Sequence, residues 1–263
     1  MYSIEHQKFI SRMRLQRLLI HFTRIIILLL IIFLWEYLST KGIINSFIYS
    51  SPSKIFITIK NLYIENNLFN HIFITTYETI ISFLITTILG IIISIILWYS
   101  NFLEKVLDPY LIVINSLPKV ALGPVIIIIF GANIKSIIIM ALLISLIVVI
   151  SNIYTGFMNT DKNMILLLKS FKGTKFQILT NLIIPYNYNV IVSSLKINIS
   201  MTLIGIIMGE LLVSKQGIGY LINYGKEVFN LNMVFSGIII LLIVSYLMYL
   251  LVVILEKILI KER

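Results

Sequence analysis

The sequence contains no cysteine, only three histidines and few charged residues for a length of 263 residues. Without cysteine the chain can form neither a disulfide framework nor a thiolate metal site. His6, His21 and His71 are scattered, so they cannot form a metal cluster with one another. Charged residues make up 12% of the chain, against about one-quarter in soluble domains. This scarcity of charge excludes an ordinary soluble protein.

Patterns of enzyme chemistry are also missing. The sequence has no paired-carboxylate arrangement, no HExxH motif and no glycine-rich phosphate loop followed by Lys-Ser or Lys-Thr. We therefore predict that the chain has no catalytic residue, no metal and no cofactor of its own, and that it is not an enzyme. Movement of a solute across a membrane is the remaining common function.

Long apolar runs are what the sequence has in abundance. Hydrophobic residues make up 59% of the chain, and its mean hydropathy is +1.02. About 20 helical residues cross the hydrocarbon layer of a membrane. Six runs are candidates, at residues 25–38, 75–98, 109–130, 134–153, 190–213 and 233–255. We predict an all-α, polytopic membrane protein with about six transmembrane helices, formed by one domain (25–255) between a basic segment (1–24) and a charged tail (256–263).

The first apolar run could instead be a cleaved secretory signal. The basic segment before it is long, and no small-residue cleavage site follows Trp35-Glu36-Tyr37. We therefore predict that this run is retained as a transmembrane helix.

The distribution of Lys and Arg predicts the orientation. A net charge of +10 would suggest nucleic-acid binding in a soluble protein, but in membrane proteins these residues concentrate in cytoplasmic loops. The six-helix layout places 13 of them inside and 6 outside, with Lys119 and Lys196 within helices. We predict that both termini and residues 161–185 are cytoplasmic, that the chain lies in a lipid bilayer, and that it binds no nucleic acid. Lys196 is expected to snorkel to the inner surface.

The segment Asp161–Pro185 interrupts the apolar runs with polar residues and lysines, and its spacing predicts two short helices. Gly173 is expected to take the left-handed conformation that ends the first helix. Thr174 and Gln177 form a predicted capping box for the second helix, which Pro185 is expected to end. The predicted apolar stripes are Met164, Leu167, Leu168 and Phe171, then Phe176, Leu179, Leu182 and Ile183. The pattern alone fits either a surface connection or a docking element.

Two prolines, a glycine and a lysine interrupt the third apolar run, in SLPKVALGP at residues 116–124. Broken backbone at membrane depth is tolerated only where protein or a water-filled cavity covers it, and a lysine facing lipid is costly. A plain proline kink in a lipid-facing helix is the alternative. We predict that this stretch lines the translocation pathway or its gate, through Ser116, Pro118, Lys119, Gly123 and Pro124.

Glu210 and the glycines that follow it mark the outer part of the fifth run. Glu210 fits either a solvated interfacial position or a buried one, at a helix-packing face or in the pathway, with Gly205 and Gly209 allowing close helix approach. We assign it to the pathway group. Gly217 and Gly219 fit either an ordinary loop or an outer, partly re-entrant element that a partner touches.

Energy for transport would have to come from outside the chain. A self-powered carrier normally shows ionisable residues in series within the membrane, and the predicted helices offer little beyond Lys119 and Glu210. A cytoplasmic helical hairpin would suit the docking of a separate energy source. The alternative is a self-contained, ion-coupled secondary carrier or channel.

Several of these stretches together resemble the membrane permease subunits of binding-protein-dependent ABC importers, in particular the nitrate, sulfonate and taurine branch. The resemblance covers residues 25–255. Its motifs are Lys169–Pro185, which is similar to the EAA loop of the family; Ser116–Ser136; Ser50–Ser53; and Gly209-Glu210 with Gly217–Tyr220. The leading Glu-Ala-Ala of the loop is replaced by apolar residues around Leu166–Leu168, and Lys172 stands where the family usually has glycine.

The resemblance implies a type I ABC importer permease in the cytoplasmic (inner) membrane. It implies two permease subunits, expected to be a homodimer, on two ATPase subunits that bind the ATP. An extracytoplasmic solute-binding protein would meet the loop at Gly217 and Gly219. The residues expected to couple the chain to the ATPase are Lys169, Ser170, Phe171, Lys172, Gly173, Thr174, Phe176, Gln177, Leu179 and Pro185. The expected solute is a small anion such as a sulfonate or nitrate, or a small vitamin precursor.

Overall fold

A computed structural model describes residues 4–65 and 68–261, and the regular structure within them is helical throughout. In chain order the helices are α1 (Ile4–Thr40), α2 (Ser46–Tyr49), α3 (Pro52–Glu65), α4 (Leu68–Tyr99), α5 (Asn101–Ser116), α6 (Gly123–Phe130), α7 (Ile134–Met158), α8 (Lys162–Ser170), α9 (Lys175–Ile178), α10 (Ile184–Tyr186), α11 (Tyr188–Val213), α12 (Ile218–Glu227) and α13 (Leu231–Lys261). A 3-10 turn (Lys119–Leu122) precedes α6, and a π turn (Leu179–Ile183) separates α9 from α10. The predicted all-α fold class is confirmed.

The described residues contain five helices that are long and apolar enough to cross a membrane. They are Leu18–Thr40 within α1, Leu68–Tyr99, Ile134–Met158, Tyr188–Val213 and Leu231–Leu259. A sixth span would be a broken one, because α5 and the stretch Lys119–Phe130 meet at 88°. The break falls at Leu117 and Pro118, where proline withholds a backbone donor and disfavours helix for the residue before it. The prediction of about six transmembrane helices is therefore confirmed, with the third run folded as two pieces.

Two predicted boundaries are wrong. The interval between the second and third predicted runs, residues 99–108, is helical except for Ser100, whose side chain accepts a hydrogen bond from the Leu103 N–H and caps α5. Pro109, the predicted start of the third run, consequently lies inside α5. The second span starts at Leu68 and not at the predicted residue 75, and α2 and α3 lie between it and the first span.

The centre of the fold is a bundle of α4, α7 and α11, with α13 packed on α11. α11 and α7 lie very close together, since a Cβ added at Gly205 would fall 2.4 Å from the Cα of Ala141. A Cβ at Gly209 would fall 2.9 Å from the Ile137 side chain. Small residues at crossing points let membrane helices pack closely, in agreement with the prediction for Gly205 and Gly209.

Buried polar side chains join the same three helices. Asn198 on α11 donates hydrogen bonds to the Thr87 hydroxyl (2.8 Å) and the Phe83 carbonyl (3.1 Å) on α4. The hydroxyls of Thr86 on α4 and Ser145 on α7 lie 3.0 Å apart. Hydrocarbon offers no hydrogen bonds to such groups, so these pairings favour one rotation of each helix about its axis.

At its N-terminal end α11 is tied to α13. Lys196 Nζ lies 2.9 Å from Glu256 Oε1, and the Ser193 hydroxyl donates to the same oxygen at 3.4 Å. Lys196, which was predicted to snorkel to the inner membrane surface, therefore also forms an ion pair between helices. Pairing removes the cost of an isolated charge in apolar surroundings. Glu256 belongs to α13, which continues to Lys261.

Candidate functional site

The hairpin (residues 161–185) contains α8, a tight turn and α9. Lys172 in the turn has a φ of 58°. Its N–H donates to the Lys169 carbonyl at 2.9 Å, and the Gly173 N–H donates to the Leu168 carbonyl at 3.0 Å. This pair of hydrogen bonds around a left-handed residue is the Schellman motif that ends many helices.

The left-handed residue is thus Lys172, and the prediction that it is Gly173 is wrong. A side chain makes the left-handed conformation less favourable by roughly 1–2 kcal/mol, which explains why glycine suits the position of Lys172. Gly173 is needed for a different reason, because a Cβ there would lie 2.8 Å from the Leu168 carbonyl oxygen.

The second half of the hairpin begins as predicted but ends differently. The Thr174 side chain accepts from the Gln177 N–H (3.3 Å), and the Gln177 side chain accepts from the Thr174 N–H (2.8 Å), which completes the capping box. Pro185 does not end the helix. It lies in the first turn of α10, after the π turn, where a missing N–H is tolerated. The chain stays helical to Tyr186 and resumes as α11 at Tyr188.

The hairpin has a buried apolar face and an exposed one. Ile178, Leu179 and Ile183 are buried against Phe157 and other residues of α7. Four other apolar side chains of the hairpin are exposed, with exposed fractions of 60% for Leu166, 57% for Leu167, 75% for Phe171 and 63% for Phe176. Leu166 lies beside a cavity that Phe157 and Ile178 also line. The predicted stripes are therefore only partly packed inward, because α8 and α9 are short and only one face of each reaches the bundle. An exposed apolar patch of this kind is typical of an interaction surface.

Some of the residues predicted for the pathway are exposed, and others are buried. Ser116, Pro118 and Pro124 are exposed, and Lys119 is half-buried. Lys119 Nζ lies 3.3 Å from the Asn115 side-chain oxygen. Gly123 is buried, and a Cβ there would lie 2.6 Å from the Leu212 side chain on α11. The break is therefore anchored to the bundle at Gly123.

Glu210 is buried at the distal end of the bundle, the end opposite to the hairpin, with an exposed fraction of 1%. Its Oε1 accepts from the Thr75 hydroxyl on α4, and its Oε2 accepts from the Gly219 N–H at the start of α12, both at 2.6 Å. The Thr75 hydroxyl oxygen also accepts from the Ile218 N–H at 2.8 Å. One carboxylate thus joins α11, α4 and α12, so Glu210 occupies a helix-packing position and not a solvated one.

Gly217 and Gly219 surround this carboxylate. Gly217 has a φ of 106°, and a Cβ there would lie 2.3 Å from Glu210 Oε1. A Cβ at Gly219 would lie 2.7 Å from the Glu210 Cβ. Both glycines are buried, whereas their neighbours Lys215 and Gln216 are exposed. The exposed pair is the part of this loop that an external partner can reach.

Glu78 is a candidate that the sequence analysis did not select. It lies on α4 one turn after Thr75, is 1% exposed and faces Glu210. It lines a cavity of about 320 Å³ that also reaches Lys215. A signal was present in the sequence, since buried polar residues recur along α4 at helical spacing: Thr75, Glu78, Ser82 and Thr86. Within the described ranges no three His, Asp or Glu side chains are grouped so as to hold a metal ion.

The residues around Glu210 at the distal end, Thr75, Gly217 and Gly219, are called the distal cluster. A helical membrane bundle with such a cluster at one end and a helical hairpin at the other is the architecture of a membrane transport subunit. Residues 86–261 match the family of binding-protein-dependent transport system inner membrane components, and the chain belongs to this family. It is therefore a multi-pass inner-membrane permease of an ABC importer. The matched part contains the hairpin, the helix break and Glu210.

Particular relatives are similar over most of their length. The chain is 28% identical to the putative aliphatic sulfonates transport permease protein SsuC of Bacillus subtilis, over 89% of this chain and 84% of that protein. It is 26% identical to the formylaminopyrimidine transport permease protein ThiX of Halalkalibacterium halodurans, over 89% and 93%. The fold is similar to that of the MetNI methionine ABC transporter in an inward-facing conformation, with a TM-score of 0.64, 14% identity and coverage of 73% of this chain and 95% of that one. The predicted sulfonate, nitrate and taurine branch is confirmed.

Replacement of Thr75 with valine should destabilise the distal end. Valine keeps the shape of threonine but leaves Glu210 Oε1 without its donor and the Ile218 N–H without its acceptor. Leaving a buried polar group unpaired costs about 1–3 kcal/mol, so we expect a lower midpoint of thermal unfolding for the purified chain. Thr23→Val is the control, because the Thr23 hydroxyl is exposed and bonds only within its own helix. Equal midpoints for the two variants would contradict the role of Glu210 in joining the helices.

Proposed function

We propose that the chain forms half of the membrane pathway of an ATP-driven importer and that its hairpin docks on a separate ATPase subunit. The observation that carries the proposal is the exposure of the apolar hairpin side chains Leu167, Phe171 and Phe176, together with that of Leu166. The same hairpin also exposes the polar residues Lys169, Ser170 and Lys172. ATP would be bound and hydrolysed by the partner, so the chain needs no cofactor of its own.

The hairpin is suited to pass a movement of the ATPase on to the bundle. Its buried side packs Ile178 and Leu179 against Phe157 of α7. Lys175 Nζ donates to the Tyr99 carbonyl at the end of α4 (2.8 Å), and the hairpin runs through the π turn and α10 into α11. A displacement of the hairpin would therefore act on all three central helices. Nucleotide would shift the bundle between two packings by binding one of them more tightly.

The proposed orientation has the hairpin and both termini in the cytoplasm and the distal end outside. The excess of Lys and Arg on the hairpin side, 13 against 6, supports this orientation. The exposed residues Lys215 and Gln216, next to Gly217 and Gly219, would then meet the solute-binding protein.

A second copy of the chain would complete the pathway. The described side chains of α1 from Leu18 to Leu34 are exposed, and α5 and α6 also expose apolar side chains. Broken backbone in a membrane must be covered by protein or by a water-filled cavity. A second permease subunit would cover the break with protein and would enclose a water-filled pathway beside it. Lys119 would face this shared pathway. A homodimer is the simplest such arrangement.

The proposed solute is a small anion such as a sulfonate or nitrate, or a small vitamin precursor. The names of the sulfonate and formylaminopyrimidine relatives support these two classes. The solute-binding protein is expected to do most of the selection. A ligand screen on a binding protein encoded beside this chain would identify the solute.

Replacement of Phe171 with aspartate should weaken docking of the ATPase. Loss of an aromatic anchor at an interface costs about 2 kcal/mol or more, which corresponds to roughly 30-fold weaker association. We expect loss of ATPase copurification and of ATP-dependent uptake in vesicles. Phe102→Asp is the matched control, because Phe102 is also 75% exposed but lies on α5. Lys172→Gly should retain uptake, since glycine suits a φ of 58°.

Normal ATP-dependent uptake by Phe171→Asp would contradict the docking assignment. Uptake by the purified chain with an ion gradient and no ATPase would instead favour a self-contained carrier.

Replacement of Lys119 with alanine should change transport without preventing assembly. The lysine lies at the helix break and would face the pathway, so its loss should lower uptake of an anion several-fold while the ATPase still copurifies. Lys135→Ala, which removes an exposed lysine at the start of α7, should leave uptake unchanged. An unaltered uptake rate in Lys119→Ala would remove Lys119 from the pathway.

The orientation can be measured because the chain has no cysteine of its own. A cysteine introduced as Gln216→Cys should react with a membrane-impermeant maleimide in intact cells. In cells that express the permease without the ATPase, a cysteine introduced as Phe171→Cys should react only after the membrane is permeabilised. The opposite labelling pattern would reverse the proposed topology.

A further inference from the structure

Two glutamates are buried beside each other at the distal end of the bundle. Glu78 and Glu210 are each 1% exposed, and their carboxyl groups face each other between α4 and α11. Glu210 accepts hydrogen bonds from the Thr75 hydroxyl and the Gly219 N–H. Neither carboxyl oxygen of Glu78 accepts a hydrogen bond from a donor among the described residues.

Among the described residues packed around this pair, none forms an ion pair with either glutamate. Lys215 lines the cavity beside Glu78, but it is exposed and makes no ion pair with Glu78. His71, one turn before Thr75 on α4, accepts the Gly217 N–H at Nδ1 (2.9 Å), so its imidazole is neutral. The described residues of α7 and of the turn before it that line the cavity are all uncharged.

We propose that Glu78 and Glu210 form a proton-binding site in which Glu78 is the neutral acid and Glu210 is the carboxylate. Two carboxylates side by side in a low-dielectric environment do not both ionise. The hydrogen bonds assign the roles, because Glu210 accepts from two donors, which favours its charged form, and Glu78 accepts from none. A protonated Glu78 has an O–H that can donate to Glu210.

The shared proton links α4 to α11 next to the loop that carries Lys215 and Gln216. Water entering the cavity of about 320 Å³ beside Glu78 would give the proton a route to the outside. In this proposal only the folded chain holds the proton at neutral pH, because an unfolded chain exposes both carboxyl groups to water, where glutamate is ionised. Folding stability must therefore decrease as the pH rises through the titration of the pair.

Infrared spectroscopy of the full chain in lipid nanodiscs tests the site directly. A protonated carboxylic acid has a carbonyl stretching band distinct from the carboxylate bands. We expect this band at neutral pH in the wild type, its loss at alkaline pH, and its absence in Glu78→Gln. Glu256→Gln is the control, because it removes a carboxylate that pairs with Lys196 at the other end of α11, and it should retain the band.

Thermal unfolding distinguishes the contribution of the proton to stability from the contribution of the helix packing. Glu78→Gln replaces a neutral acid with a neutral amide, so its midpoint should stay close to the wild-type value at neutral pH and lose the decrease toward alkaline pH. Glu210→Gln places an amide where two donors point, so its midpoint should fall at every pH. A larger loss in Glu78→Gln than in Glu210→Gln would overturn the assignment.

Absence of the protonated-acid band at neutral pH would also overturn the proposal. If Na⁺ or K⁺ then stabilised the wild type but not Glu78→Gln, the pair would bind a metal cation and not a proton. Both readouts use the permease chain alone, without ATP, a binding protein or uptake. Their result is therefore independent of the proposed docking function.

Discussion

The close packing of α11 against α7 is the contact on which the rest of the structure depends. At Gly205 the two backbones approach so closely that a Cβ would fall 2.4 Å from the Cα of Ala141. Lipid is as apolar as the helices, so association in a membrane relies on such packing and on hydrogen bonds between helices. The bonds of Asn198 to Thr87 and Phe83 add α4 to the pair. These contacts give defined positions to the elements at both ends of the bundle.

α11 connects the hairpin with the distal cluster. Its 26 residues span about 39 Å at 1.5 Å per residue. One end follows the hairpin through a helical connection, and the other end carries Glu210, which holds α4 and α12. A packed helix moves as a unit, so a shift imposed on the hairpin would reach the distal cluster through α11. This arrangement would give the proposed docking at the hairpin a physical connection to the loop at the distal end.

Predictions from the sequence succeeded where a residue pattern has one geometric outcome, and they failed where the exact turn geometry or the contacts with distant residues decide. The Thr174 capping box is local, and it formed as predicted. The positive φ fell on Lys172 and not on Gly173, because composition favours glycine but only the geometry of the turn decides which of two adjacent residues adopts it. Phe176 belongs to an apolar stripe, but it faces outward because α9 presents only one side to α7.

The sequence by itself determined that this protein is a helical membrane protein with about six spans, a helical hairpin and a break in its third apolar run. Hydropathy, charge bias and proline act within each segment, so they can be evaluated one segment at a time. Only the tertiary structure decided which residues meet across helices. Glu78 and Glu210 are far apart in the sequence, and each is the single carboxylate of its own helix. They become a pair only because α4 and α11 pack in one register.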